Sequence, residues 1–254
     1  MLSGEPLYPY AYFLERAALT FMPTARKALV IGLGPGLIPS RLARYGLTGT
    51  VVEIDPYVVE VAQGYFGFRQ DAFKIAVADG RQFLESTHEV YDVALLDAFT
   101  AENEPFHLFT REAFQAVKRH LNPGGTLVIN LAAWAPYPGA DNRVLDSVLR
   151  TMREVFPDVR AFCSSRTTPG SVENFCLMGR LGGGSDGSPR AFLPVYQKTQ
   201  AALEGFMATS YAPGLSAGAV YTDDWCPVEA QGASAKLQWR EQNMSFTPKE
   251  ILLD

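Results

Sequence analysis

The chain has 254 residues, 47% apolar and 19% charged, with a formal charge of −5. That length can bury a substantial core, and the composition is that of an ordinary globular protein. The acidic balance argues against a broad nucleic-acid-binding face, which is usually basic. No apolar run is long enough to span a bilayer, so no membrane partner is expected.

Residues 1–26, with "YPYAYFLERAALTFM", read as an aromatic-rich lead-in helix packed on the rest, or alternatively as a lid. Tyr8, Tyr10 and Tyr12 belong to this segment, where core packing is favoured over a role at a pocket mouth. The N-terminus has no signal-peptide pattern, which gives a cytoplasmic expectation. From Lys27 to about Pro157, strand-like and helix-like segments alternate. "KALVIGL" is a buried strand, followed by a helix from about Gly36 to Tyr45. "TVVEID" leads to the helix "YVVEVAQGYFG", and "FKIAVAD" to "GRQFLEST". "YDVALLDAF" precedes, after a loop, the helix "REAFQAVKRHL"; "GGTLVINLAA" precedes the amphipathic "NRVLDSVLRTMREVF". Continuous apolar strands alternating with helices predict a parallel sheet covered on both faces.

"VRAFCSS" and "NFCLMGRL" are two more strands with no helix between them, joined by "RTTPGSVE". A short polar connection with Pro-Gly predicts an antiparallel hairpin. The fold class is therefore α/β, with a mostly parallel seven-stranded sheet ending in an antiparallel hairpin. Cys163, Cys176 and Cys226 read as reduced, mostly buried thiols that form neither a disulfide framework nor a metal-like group; Cys163 and Cys176 lie on these two strands and could face each other. "GGGSDGSPR", residues 182–190, is a flexible loop by composition. "AFLPVYQKTQAALEGFMA" follows as a helix, and the tail from Ala212 is mixed. The expected divisions are thus a lead-in (1–26), a nucleoside-binding catalytic domain (27–181), the loop (182–190), and a helix and tail packed on the same domain (191–254).

Chemistry-bearing residues gather at successive strand ends. In Gly32-Leu33-Gly34-Pro35-Gly36 the glycines turn the backbone tightly and let a ligand approach the main chain. Glu53 and Asp55 end the second strand, about 20 residues beyond the first glycine, where a carboxylate can accept both ribose hydroxyls. The spacing G-x-G-x-G lacks the last glycine of G-x-G-x-x-G, which favours one adenosine over a dinucleotide. Asp79 ends the third strand, as an acceptor for an adenine amino group or as a helix N-cap. Asp97 emerges from the apolar fourth strand, as a base or anchor for an amine or as a loop cap.

His107, in "EPFHLFT", reads either as an acid/base group near an acceptor or as a structural loop residue. Glu102 and Glu104 share its loop, as attractors of a cation or as solvated charges. Asp223 and Asp224 are candidate second-site carboxylates, with Trp225 as a cation-facing ring; a turn beside a packed tryptophan is the plainer reading.

"VIGLGPG", "VVEIDP", "ADGRQFL", "YDVALLDAF" and "HLFTREAFQAVKRHLNPGGTLVINL" together resemble the polyamine aminopropyltransferases, the spermidine synthase family. The resemblance is greatest to the divergent spermidine-synthase-like branch, and the late "YTDDWCPVE" is similar to a C-terminal element of that branch. The resemblance implies the Rossmann-like class I methyltransferase fold. It also implies a small-molecule amine acceptor and S-adenosylmethionine or its decarboxylated form as co-substrate. No metal is expected, and a homodimer is one assembly open to the chain. Glu53 matches the ribose-binding glutamate, Asp79 with Gly80 the adenine side, and Asp97 the catalytic aspartate, with Gly32, Gly34 and Gly36 forming the donor turn.

Three departures accompany the resemblance. The family's aspartate before the last glycine, which would pair with the ammonium of the decarboxylated donor, is replaced by Pro35, with no charge and no N–H. Its second aspartate, three residues after the catalytic one, is replaced by Thr100. The residues before Lys27 are too few for its N-terminal β-domain. The leading expectation is aminopropyl or related alkyl transfer to an amine. The rivals are a small-molecule methyltransferase and a non-catalytic nucleoside-binding domain.

Overall fold

In the computed structural model, residues 10–98, 105–134, 141–163, 171–182 and 218–246 are described, with side chains left aside at 239, 240 and 242–246. Helix α1 (Tyr10–Phe21) precedes the alternating region. There β1 (Lys27–Ile31), α2 (Leu37–Arg44), β2 (Thr48–Glu53), α3 (Pro56–Gly64) and β3 (Phe73–Val77) follow in order. Next come α4 (Gly80–Ser86), β4 (Tyr91–Leu96), a 3-10 turn (Phe106–Leu108), α5 (Arg111–Arg119) and β5 (Leu121–Trp134). Helix α6 (Arg143–Arg153), β6 (Asp158–Cys163), β7 (Val172–Arg180) and helix α7 (Val228–Phe246) complete the described elements.

The seven strands form one sheet in the order β3-β2-β1-β4-β5-β7-β6. Strands β1 to β5 run parallel, and β7 is antiparallel to both β5 and β6. The chain winds outward from β1 to β3 and then returns to place β4 on the other side of β1. A crevice opens at such a reversal, beyond the carboxyl ends of the strands, and ligands of open α/β sheets bind there.

The central strands β1 and β4 are apolar on both faces along most of their length, whereas the edge strand β3 exposes Lys74 and Val77. Along β1, Leu29 and Ile31 join one core while Ala28 and Val30 join the other. The first core takes in Phe109, Phe114 and Leu145 from the α5–α6 side; the second takes in Phe13, Leu14 and Leu42 from α1 and α2. Helix α1 is thus packed against the sheet over Tyr10–Phe21. It is also locked by charge. Glu15 and Arg41 form a fully buried ion pair between α1 and α2, with the guanidinium 4.1 Å from the centre of the Tyr12 ring. Burial pushes the Glu15 carboxyl up against the pull of Arg41. Removing one partner of such a pair costs about 3–5 kcal/mol because the other is left charged and dry.

Three expectations need correction. Cys163 and Cys176 do not face each other. Cys163 lies opposite Phe175 and Cys176 opposite Phe162, so the two thiols are one register step apart and enter different cores. Strand β5 begins at Leu121, before the Pro-Gly-Gly bend, and the register shifts there between Tyr91 and Val93. The mixed tail contains the nineteen-residue helix α7, whose sequence "VEAQGASAKLQWREQNMSF" lacks a clear apolar stripe. The loop expected at 182–190, except Gly182, and the helix expected at 191–208 lie outside the described residues, as does Tyr8. Among the described residues no helix is long and apolar enough to cross a membrane.

Candidate active site

The glycine turn leaves β1 at the sheet's carboxyl edge. Gly32 has φ +97°, and a Cβ there would stand 2.3 Å from the Asp97 backbone oxygen. Only glycine lets the end of β1 lie this close to the end of β4. Asp97 N–H donates to Ile31 O at 2.9 Å and ties the two strand ends together. Gly36 also has positive φ, and a Cβ there would meet the Phe68 ring at 2.6 Å. Gly34 differs from both. Its φ is +49°, yet nothing lies within 4 Å of where its Cβ would be. The turn is packed at its two ends and open in the middle, as a cradle for a ligand must be.

Glu53, at the end of β2, closes one side. Its carboxylate accepts from Leu33 N–H at 2.9 Å and from Asp55 N–H at 3.1 Å. These bonds fix the glutamate beside the turn and leave each oxygen a further lone pair for a ligand hydroxyl. Asp55 instead caps α3, accepting from Tyr57 N–H at 2.8 Å. Ile54, between them, is 60% exposed. It stands beside Glu53 as an exposed apolar side chain, and nothing in the sequence sets it apart from the strand it follows.

Asp79 follows β3, which is held to β2 by Ala78 N–H donating to Glu53 O at 3.0 Å. Both sequence readings meet in this residue. Oδ1 caps α4, accepting from Arg81 N–H at 2.9 Å and Gln82 N–H at 3.0 Å. Oδ2 lies 2.8 Å from His107 Nε2. Burial works to raise this carboxyl, but the Gln82 N–H, the His107 imidazole and the Arg81 N–H outweigh it and hold it below the usual range. Gly80 is buried, and a Cβ on it would stand 2.7 Å from Ile31 Cγ2, so its smallness lets α4 sit on β1.

Asp97 stands just beyond β4, partly accessible. Its Oδ1 accepts from Asn130 Nδ2 at 3.0 Å, and Asn130 is itself 3% exposed on the neighbouring β5. Burial pushes the Asp97 carboxyl up to about 6, against the pull of the Asn130 hydrogen bond. A carboxylate with that value is ionised at neutral pH, so it can anchor an ammonium, and it is a stronger base than an ordinary aspartate. Asn130 had no place in the sequence reading. The signal was a lone amide in the apolar run "LVINLAA", which equally suits a satisfied core residue.

The residues proposed for an acceptor divide. His107 is drawn to the Asp79 carboxylate, beyond the end of β3. Asp223 is held in a network: Oδ1 accepts from Thr110 Oγ1 at 2.6 Å, Oδ2 from Arg81 Nη2 at 3.0 Å, and its N–H donates to Glu112 at 3.0 Å. That network fastens the turn Thr222–Trp225 to α4 and α5. Asp224 is exposed in the same turn, and Trp225 is half-exposed, edge-on to Tyr221 at 6.0 Å. Thr100, Glu102 and Glu104 lie outside the described residues. Among the described residues no group of three or more His, Cys, Asp or Glu is arranged to hold a metal ion.

Gly32 and Gly34, Glu53, Asp79 and Asp97 are thus neighbours around one strand edge, linked through the backbone bonds of Leu33, Ala78 and Asp97. Across the sheet they run from Asp79 after β3, through Glu53 on β2 and the open turn after β1, to the raised carboxyl of Asp97 after β4.

Known proteins resemble this chain. A polyamine aminopropyltransferase from Vibrio vulnificus is 34% identical over 161 residues, covering 61% of this chain and 51% of its own. An N-terminal histidine N-methyltransferase from Emericella nidulans is 32% identical over 169 residues, covering 60% of this chain and 29% of its own. The chain therefore spans about half or less of the length of these curated relatives. The crystal structure of spermidine synthase from Thermotoga maritima superposes with a TM-score of 0.60 at 20% identity, over 80% of this chain and 71% of that one. At that identity the likeness establishes the fold, a class I methyltransferase-type Rossmann sheet. The family profile described as "Spermine/spermidine synthase domain" matches residues 8–179, well over half of the sequence. This chain belongs to the spermine/spermidine synthase domain family.

Proposed function

We propose that the chain transfers an alkyl group, aminopropyl in the first instance, from an S-adenosylmethionine-type sulfonium to a small-molecule amine. In this reading Glu53 accepts the ribose hydroxyls and Asp79 the adenine amino group. The open span at Gly34 takes the sulfonium-bearing arm, and Asp97 receives the amine. The observation that carries it is the Asp97 carboxyl, raised to about 6 and steadied by Asn130, beside a turn whose middle glycine faces open space.

The chemistry asks little beyond alignment. A new C–N bond forms as the C–S bond breaks, and its electron pair returns to sulfur, leaving a neutral thioether. The sulfonium needs no activation, so the remaining requirement is an unprotonated amine in line behind the carbon. Alkyl amines resemble the lysine side chain, with a reference value of about 10.4, and arrive protonated. Asp97 in its dry surroundings anchors the ammonium, takes its proton and passes it to solvent.

One observation favours methyl transfer from the intact donor as the second reading. Pro35 brings no carboxylate to select the decarboxylated donor's ammonium. The product nucleoside separates the two. The protein is incubated with an α,ω-diamine and either donor. Aminopropyl transfer releases methylthioadenosine and requires the decarboxylated donor, whereas methyl transfer releases S-adenosylhomocysteine. Methylthioadenosine release dependent on the diamine is the expected result. Binding of both donors without either product would overturn the catalytic reading.

A further inference from the structure

His107 lies 28 positions along the chain from Asp79, and the two side chains meet at 2.8 Å. Both partners sit in rigid frames. Asp79 is pinned by the two N–H groups that its Oδ1 caps. His107 lies in the 3-10 turn Phe106–Leu108, closed by Leu108 N–H to Pro105 O at 2.9 Å and Phe109 N–H to Phe106 O at 3.0 Å. Leu108 and Phe109 are buried, and the Phe106 ring meets the imidazole edge-on at 5.5 Å. The turn is fastened again from the C-terminal side, where Cys226 Sγ donates to Phe106 O at 3.4 Å and Arg111 N–H to Tyr221 O at 2.9 Å.

We propose that His107 is a positioning residue for base recognition: it locks the Asp79 carboxylate so that the site accepts adenine and rejects a 6-oxo purine. The inference rests on the donor site proposed above. With Oδ1 engaged by two backbone donors and Oδ2 steadied by the ring nitrogen, the carboxylate stays ionised and cannot turn. Its remaining lone pair on Oδ2 is an acceptor in a fixed place. An exocyclic amino group satisfies it; a carbonyl oxygen there meets acceptor with acceptor and leaves both unpaired, which discriminates more strongly than a change in apolar contact. Without the imidazole Oδ1 stays capped but Oδ2 loses its partner, so the carboxyl takes up a proton more readily and can become a donor, and the distinction weakens. His107 thereby belongs to the nucleoside side of the site, although its loop follows Asp97.

The test is a pair of titrations on the full chain, with methylthioadenosine and with methylthioinosine as probes. The native protein is expected to prefer the adenosine compound, and His107→Ala to reduce that preference by about tenfold, the size of one charge-assisted hydrogen bond. His107→Gln, which offers an N–H donor in place of Nε2, should restore the preference. His107→Phe, which keeps a ring but no donor, should not, and it serves as the second variant should the alanine form not fold. A merely structural histidine would weaken both ligands alike or neither, and that result would overturn the inference while leaving the donor site intact. Failure of the native protein to bind either nucleoside would instead overturn the donor-site reading, and this inference with it.

Discussion

Asn130 on β5 and Asp97, just beyond the end of the neighbouring parallel strand β4, meet at the sheet edge with the amide donating to one carboxylate oxygen at 3.0 Å. The amide is buried at 3% exposure, so it has no solvent to turn to and holds the carboxylate in one orientation. One oxygen is thereby occupied and the other is left for a ligand. Asn130→Leu keeps the volume and removes the donor. Because the amide's hydrogen bond lowers the Asp97 value, its loss moves the acidic limb of the pH–rate profile to higher pH. We expect kcat to fall by about tenfold, with donor affinity unchanged by calorimetry.

Asp97→Asn separates binding from chemistry. It removes the base while keeping an oxygen for Asn130. Turnover should drop by about 10²–10⁴-fold, while methylthioadenosine binds as before. The native kcat/KM should rise with pH through about 6, where the carboxyl ionises, and the asparagine variant should lack that limb.

The same residue makes a stability prediction of opposite sign. A carboxyl raised in the folded state stabilises fully below its unfolded value and loses that contribution as pH rises through about 6. At pH 7 the ionised, dry carboxylate is a net cost. Asp97→Asn should therefore be more stable than the native protein at pH 7, by on the order of 2 kcal/mol after allowance for partial exposure. The difference should vanish near pH 4 in urea titrations.

Asp92 works the other way. Its Oδ2 accepts from Arg26 N–H at 2.7 Å and Lys27 N–H at 3.0 Å, and its Oδ1 from Asn122 Nδ2 at 2.8 Å, at the start of β1. Burial works to raise it, but these donors outweigh burial and hold it below the usual range. Its contribution is present above the unfolded value near 3.9 and is lost as pH falls through the lower folded value. Asp92→Ala should cost about 1–3 kcal/mol at pH 7, less below pH 4, with the activity of the remaining folded protein unchanged.

The glycines of the turn part company on substitution. Gly32→Ala forces a Cβ to 2.3 Å from Asp97 O and should unfold or displace the β1–β4 edge. Gly34→Ala meets nothing within 4 Å, so it pays only for positive φ, about 1–2 kcal/mol. The Gly34 variant should fold, by circular dichroism, and bind donor more weakly, because its new methyl group enters the space reserved for the arm.

The parts legible in the sequence share one property: they follow from strand ends. Glu53, Asp79 and Asp97 each close an apolar run, and in a parallel sheet consecutive runs end on one edge. The relations between elements were not legible. His107 and Asp79, Asn130 and Asp97, and Asp223 and Arg81 pair across 28, 33 and 142 positions, and no local pattern marks them. The facing cysteines failed on a single register step, which periodicity alone does not set. Helix α7 was missed because its apolar residues trace no stripe.

A crystal structure of the protein with methylthioadenosine bound tests the site most directly. The ribose hydroxyls should lie within hydrogen-bonding distance of Glu53, the purine amino group on Asp79, and the thioether over Gly34 on the way to Asp97. A nucleoside seated elsewhere on the protein, or found at this edge with Glu53 and Asp79 both out of its reach, would contradict it.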